Sequence, residues 1–267
     1  MEPIRPAASQ TRFAATLAGV LGIDPPALAE PGIDEVRDRL KGLARVGIDR
    51  ILIHNPDAVA RWLWQAHPDR FAPIAAHTRV TVPFHAAFPP ITPVCFATLY
   101  TGTPPEVHGS DRDRHAVVTD SLFDALARAG RRAAIVAVEG SSMARIFAGR
   151  PIDYFTVPYD REAAEVALAL MESDRHDFIA VYTQEYDDVM HKTGPESPEA
   201  LAALGRQTAI FHGLAEAAET LWTRHDTLVG FCTDHGVHAV PDGGSHGLDI
   251  PEDIEILHIF DVIPRSA

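Results

Sequence analysis

Cysteine, long apolar runs and positive charge are all scarce in this chain of 267 residues. Cysteine occurs twice, at Cys95 and Cys232, each in an apolar context. A disulfide framework is therefore excluded, and buried free thiols are expected. No stretch approaches the roughly 18 uncharged apolar residues that a membrane span needs, so no membrane partner is expected. Met1-Glu-Pro-Ile-Arg5 also lacks the charged and apolar regions of a signal peptide, which makes a cytoplasmic setting the expectation. Positive charge is the third shortage: 23 Lys and Arg face 37 Asp and Glu, for a net charge of -14 and a pI near 5.4. Such a surface does not suit a nucleic-acid polymer as partner. A substrate carrying phosphate would need bound cations to supply positive charge locally. Internal repeats, low-complexity tracts and composition shifts are missing too, and the length suits one large α/β domain.

What is present is an alternation of strand and helix patterns. Apolar runs at 50–54, 78–82, 132–138, 152–156, 177–182 and 227–232 predict strands. Helical periodicity predicts helices over 33–46, 57–65, 120–129, 141–147, 161–171 and 196–225. This order implies a doubly wound, mostly parallel central sheet with helices on both faces. Residues 255–260 are expected to close the sheet as an edge strand. Residues 1–32, without a clear period beyond a helix near 11–21, are expected to form a surface arm, and 33–267 a single domain.

In an open sheet of this kind, chemistry sits at the carboxyl ends of strands, and the sequence collects titratable residues there. Strand 227–232 delivers Asp234-His235-Gly236, a hard oxygen and an imidazole nitrogen suited to a divalent metal, although a strand-capping turn would read the same way. Asp57 follows strand 50–54 at a predicted helix start, where a carboxylate can also cap free N–H groups. Thr92 precedes Pro93 and an apolar helical run that Thr101-Gly102 ends, so it reads as an N-cap with proline at the first helical position. A hydroxyl there lies in the positive field of the helix, beside N–H groups that favour anions. Asp187 and His191, four apart, share a helical face just past strand 177–182; a surface ion pair has the same spacing. In Gly243-Gly244-Ser245-His246-Gly247 the glycines let the backbone bring His246 against a neighbour. Three carboxylates, three imidazoles and a hydroxyl are what a pair of divalent cations and a nucleophile require.

These residues, in this order, resemble the alkaline phosphatase superfamily, and most of all its type I phosphodiesterase/nucleotide pyrophosphatase branch and the related phosphonoacetate hydrolases. The resemblance runs from about residue 50 to the C-terminus. Thr92 stands nine residues before Thr101-Gly102, with Pro105-Glu-Val-His108-Gly109 following, as the nucleophile and its turn do in that family. Asp187-x-x-x-His191 with Gly194-Pro195 behind it, Asp234-His235-Gly236, His246-Gly247 and the early Asp57 complete the pattern. The resemblance implies a catalytic domain over 33–267 with two divalent cations. Zinc suits the mixed oxygen and nitrogen donors, and manganese would tolerate them. It assigns Asp187, His191 and His246 to one cation and Asp57, Asp234, His235 and the Thr92 oxygen to the other. It further implies in-line attack by Thr92 on phosphorus and a phosphothreonine intermediate, with a small phosphate- or phosphonate-containing substrate as partner.

Departures from the family pattern narrow this. Pro93 follows Thr92 directly, where related sequences often carry the proline one position later, which leaves the Val94 and Cys95 amides as candidate donors to phosphoryl oxygens. Thr92 cannot become formylglycine and Phe96 is not the arginine of sulfatases. The large inserted domain of cofactor-independent phosphoglycerate mutases has no room here. No arginine occupies an assignable clamp position, which favours diesters or phosphonates over monoesters. Phe84, Phe88, Tyr154, Phe155 and Tyr159 fall in loops or strand ends, where core packing is the expectation for most of them and base stacking the alternative, and Asp188 and His238 are candidates to orient the liganding imidazoles. A catalytically silent binding protein would be expected to lack one of the ligands or the nucleophile, and every one is present.

Overall fold

The computed structural model describes residues 7–113 and 116–267. Among the described residues, ten strands follow one another: β1 (Ala8–Ser9), β2 (Ile48–Pro56), β3 (Val80–His85), β4 (Ala133–Val138), β5 (Asp153–Val157), β6 (Phe178–Thr183), β7 (Asp226–Phe231), β8 (His238–Val240), β9 (Gly243–Ser245) and β10 (Glu255–Ile263). Eight of them form one sheet in the order β1-β3-β10-β7-β2-β6-β4-β5, and β8 pairs with β9 in a separate small hairpin. The ladders joining β7, β2, β6, β4 and β5 are all parallel. This is the mostly parallel, helix-flanked α/β sheet expected from the alternation.

The strand sequences explain why both faces are covered. β4, β6 and β7 are buried along their whole length, as near-continuous apolar runs in parallel sheets are. Alternate residues then sort to opposite faces. Ile51, Ile53, Phe178, Ala180 and Tyr182 join one core with the helices Phe13–Leu21, Thr92–Thr101 and Leu122–Arg128. Leu52, Ile179, Val181 and Val229 join the other with the helices Asp160–Ser173, Glu185–Thr193 and Pro198–Leu221.

Two expectations are corrected. β10 is not an edge strand: it lies between β3 and β7, antiparallel to both. Its residues feed both cores, Ile256, Phe260 and Val262 on one face and Ile259 on the other. Nor do residues 8–21 form a surface arm. β1 pairs with β3, and the helix Phe13–Leu21 buries Phe13, Ala14, Leu17, Ala18 and Leu21. The i, i+4 spacing of Phe13, Leu17 and Leu21, with Ala14 and Ala18 beside them, makes an apolar stripe that must be covered. Residues 1–6 of that predicted arm lie outside the described residues.

One consequence of the strand order shapes the site. β7, β2 and β6 are adjacent, so the residues just beyond their carboxyl ends converge on one place. The backbone N–H of Asp57 donates to Thr183 O at 2.9 Å, tying the end of β2 to the end of β6.

Candidate metal centre

All seven residues singled out from the sequence come together at this carboxyl end. Asp57, Asp234 and His235 form a fully buried group, and Asp187, His191 and His246 a partly exposed one; within each, one donor atom per residue lies within 4.8 Å of the others. Thr92 stands against the buried group. Its Oγ1 is 3.5 and 3.4 Å from the two Asp57 oxygens and 3.3 Å from His235 Nε2.

Local structure explains each placement. Asp57 is not a helix cap, because the predicted helix at 57–65 begins only at Arg61. Instead the chain turns at Ala58 with φ of 65°, an uncommon conformation for alanine, and the Ala58 N–H then donates to Asp234 Oδ1 at 3.1 Å. Tyr182 at the end of β6 donates its hydroxyl to Asp57 Oδ2. Thr92 is the first helical residue rather than the cap, and the cap position falls on Ile91, so its hydroxyl is not spent on helix N–H groups. Of the two amides considered for phosphoryl oxygens, the Cys95 N–H already donates to Ile91 O at 3.0 Å. The helix Glu185–Thr193, which carries Asp187 and His191, is capped from a distance: the buried Asp160 carboxylate accepts the Gln184 and Glu185 N–H groups, both at 2.9 Å. Gly243 and Gly244 let the β8–β9 hairpin press on that helix, since a Cβ at either would meet the His191 or Met190 carbonyl oxygen at 2.1 or 2.8 Å.

The imidazoles are oriented alike. His191 Nδ1 donates to Gly244 O at 2.9 Å, His246 Nδ1 to Pro90 O at 3.0 Å and His235 Nδ1 to Gly236 O at 3.0 Å. Each carbonyl fixes the tautomer with hydrogen on Nδ1, which leaves the Nε2 lone pair facing the carboxylates, as metal-binding histidines require. Burial pushes the pKa of His246 down to about 4, with His235 adding to the effect, and burial also lowers that of His235. Both rings are thus neutral and available as ligands.

The carboxylates carry the opposite signature. Burial, followed by the charges of Asp234 and Asp187, raises the Asp57 pKa well above the ordinary range. Burial pushes Asp234 up to about 7 against the pull of the Ala58 and His235 N–H groups. Burial would raise Asp187 too, but the close approach of His191, followed by the imidazoles of His246 and His235, holds it down. Asp187 Oδ1 and Asp234 Oδ2 are buried without a hydrogen-bond partner. Orphaned buried carboxylate oxygens are costly unless a cation meets them, so this donor set fits divalent cations, one to each group.

A cavity of about 310 Å³ opens over these residues. Besides Asp57, Thr92, Asp187 and His246 it is lined by Ile91, Pro93, Arg112, Ser141, Ser142, Tyr182, Gln184 and Asp188. Three residues here were invisible to the sequence reading. Tyr182 read only as a strand residue. Buried Gln10, from the predicted arm, donates to Asp234 O and accepts the Ala87 N–H at 2.8 Å. Arg112 places an arginine at a site expected to have none.

The two candidate orienting residues are committed elsewhere, and the aromatics fall outside the cavity, with Phe84, Tyr154 and Phe155 in or against the cores as expected. Asp188 accepts hydrogen bonds from Tyr159 and Gln184, at 2.8 and 3.1 Å, and His238 pairs with Asp253 at 2.8 Å, so neither orients a liganding imidazole. None of Phe84, Phe88, Tyr154, Phe155 and Tyr159 lines the cavity.

The sequence model of type I phosphodiesterases / nucleotide pyrophosphatases matches residues 56–261, from the residue before Asp57 to Asp261 in the middle of β10's ladder with β7. The chain belongs to that family. With it comes membership of the alkaline phosphatase superfamily. Relatives are distant. The catalytic subunit of GPI ethanolamine phosphate transferase 3 from Homo sapiens is 30% identical over 150 residues, 53% of this chain and 13% of that protein. Among solved structures, phosphonoacetate hydrolase from Sinorhizobium meliloti 1021 with phosphonoformate superposes with a TM-score of 0.53 at 18% identity, over 72% of this chain and 57% of that one. Murine ectonucleotide pyrophosphatase / phosphodiesterase 5, an inactive form with AMP, gives 0.55 at 19%, over 71% and 57%. At such identities the likeness is one of fold, and this member of the phosphodiesterase family spans little more than half the length of those structures.

Proposed function

We propose that the protein hydrolyses phosphodiesters with Thr92 as nucleophile and two divalent cations, zinc or manganese, in the two ligand groups. The observation that carries this reading is the position of Thr92 Oγ1, free of any capping role and 3.3–3.5 Å from both Asp57 and His235. When bound, the cations would neutralise the aspartates and the phosphoryl oxygens and lower the pKa of the threonine hydroxyl. Thr92 Oγ1 attacks phosphorus in line, the bond to the leaving oxygen breaks, and the phosphoryl group rests on Thr92. Water then attacks the same phosphorus and returns the threonine. Asp57, held by Tyr182, and Asp234, held by two backbone N–H groups, keep the buried group rigid through both steps.

Cleavage of a carbon–phosphorus bond in a small phosphonate is the second reading, favoured by a cavity without a base-stacking ring. A phosphomonoesterase is third. The two buried free thiols are compatible with a cytoplasmic setting, and no described helix is long and apolar enough to cross a membrane. The test is turnover of a chromogenic diester against the matching monoester on zinc- and manganese-loaded protein. Preference for the diester, lost in Thr92→Ala, is the expected result; full activity of Thr92→Ala would remove Thr92 from its role.

A further inference from the structure

We propose that Arg112, with the Ser142 and Ser141 hydroxyls, receives a second anionic group of the substrate, so that the protein selects small phosphate or phosphonate compounds bearing a carboxylate or second phosphate. This rests on the phosphohydrolase reading above and names its substrate class.

The first observation is the place of Arg112, an exposed side chain in the cavity wall. In a chain with 37 acidic residues, arginines such as Arg50, Arg128, Arg150 and Arg206 are engaged by carboxylates. No hydrogen bond or ion pair to a described residue engages the Arg112 guanidinium, although it lines the cavity that holds Asp57, Thr92 and Asp187. It reaches the strip of backbone that carries a ligand: a Cβ at Gly247, next to His246, would lie 3.6 Å from Arg112 Nη2. A lone cation beside two expected dications is repulsive unless an anion comes between them.

The second observation is that the loop delivering Arg112 is tethered to the helix of Thr92. His108 Nε2 donates to Thr98 Oγ1 at 2.9 Å, and its Nδ1 accepts the Ser110 N–H at 3.0 Å. Ser110 Oγ in turn donates to Pro93 O at 3.0 Å. Arg112 thus stands two residues from a buried anchor that grips the residue after Thr92.

The third is the character of the remaining walls. The Ser142 hydroxyl lines the cavity without a hydrogen bond to any described residue, and Ser141 beside it accepts the Ala144 N–H at 3.3 Å, leaving its hydroxyl hydrogen to donate. The carboxylate of Asp188 is met by Tyr159 and Gln184. Among the described lining residues the only phenyl, phenol or indole ring is Tyr182, which is buried against Phe96 with its hydroxyl committed to Asp57. A nucleobase would find no ring to stack on, whereas a planar guanidinium with hydroxyl donors suits a carboxylate or phosphate.

The test is calorimetric binding to the zinc-loaded Thr92→Ala protein, which prevents turnover, with methylphosphonate, phosphonoacetate and methylenediphosphonate as probes. These share a phosphonate and differ in the arm: neutral, carboxylate or second phosphonate. With Arg112 present, the anionic arms should bind about tenfold or more tighter than the methyl arm, as a charge-assisted pair gives. The ratio should fall towards one in Arg112→Ala and recover in part in Arg112→Lys. Whichever probe shows the larger Arg112-dependent ratio names the anion. A ratio that is near one with Arg112 present, or that survives in Arg112→Ala, overturns the proposal. Diester turnover by the wild type, measured in parallel, separates the two readings. An Arg112-dependent ratio without turnover removes the hydrolase and keeps the anion site; turnover with a ratio of one does the reverse.

Discussion

Strand β7 carries an aspartate near each end, and the fold treats the two in opposite ways. At the amino end, buried Asp226 accepts the backbone N–H groups of Val46, Gly47 and Arg265 at 2.8, 3.0 and 3.0 Å, that of Arg45 at 3.2 Å, and Arg265 Nε at 3.2 Å. Burial alone would raise its pKa, but those backbone donors hold it well below the usual carboxylate range. Asp177 nearby is likewise met by Arg50 and the Arg132 N–H, both at 2.7 Å. At the carboxyl end, Asp234 is equally buried, is pushed up instead, and keeps one oxygen without a partner. The protein satisfies its own acids at one pole and leaves buried carboxylate oxygens without a hydrogen-bond partner at the other. Buried charge without an internal partner marks the functional pole.

That contrast can be broken from either side. The largest effect is expected from chelation: stripping the cations should cost about 10³-fold or more in turnover, since their electrostatic contribution is several kcal/mol. Adding zinc or manganese back should restore it. Next, Asp226→Asn should lower unfolding free energy in urea by about 3 kcal/mol, because several donors to a buried carboxylate lose their partner, while metal content stays unchanged. Its pH dependence has a definite sign. The folded pKa of Asp226 is depressed, so its contribution is complete above the unfolded value near ~3.9 and is lost as pH falls through that value towards the folded one. The gap between wild type and Asp226→Asn should therefore be constant between about pH 6 and 8 and shrink below about pH 4.

Asp234→Asn should do the reverse in metal-free protein, raising stability by about 1–2 kcal/mol because an uncompensated charge is removed, while weakening metal retention. Thermal melts with and without chelator would show the two variants crossing; parallel losses in both would erase the distinction between the poles. The smallest effect is expected for Gln10→Ala, about 1 kcal/mol, from the lost ties to Asp234 O and the Ala87 N–H.

The ligands were legible because each sits in a short motif just beyond a predicted strand, and adjacency of β7, β2 and β6 then brings them together. What escaped the sequence depends on contacts that spacing does not encode. Tyr182 reaches Asp57 across 125 positions and Gln10 reaches Asp234 across 224. Arg112 lies in a loop whose reach is set by the His108 and Ser110 tethers rather than by any period. β10 was misplaced because it comes last in the chain, although its two-sided apolar pattern already suited an interior strand. The helix Phe13–Leu21 was underrated because alanines dilute its contrast, yet Phe13, Leu17 and Leu21 at intervals of four were there to be read.

The account stands most directly on metal stoichiometry. Protein equilibrated with zinc near neutral pH and then dialysed should retain two ions per chain, one in Asp234→Ala, and one in a variant with His191 and His246 both changed to alanine. Retention of none by the wild type, or of two by either variant, would contradict the division of these residues into two cation sites.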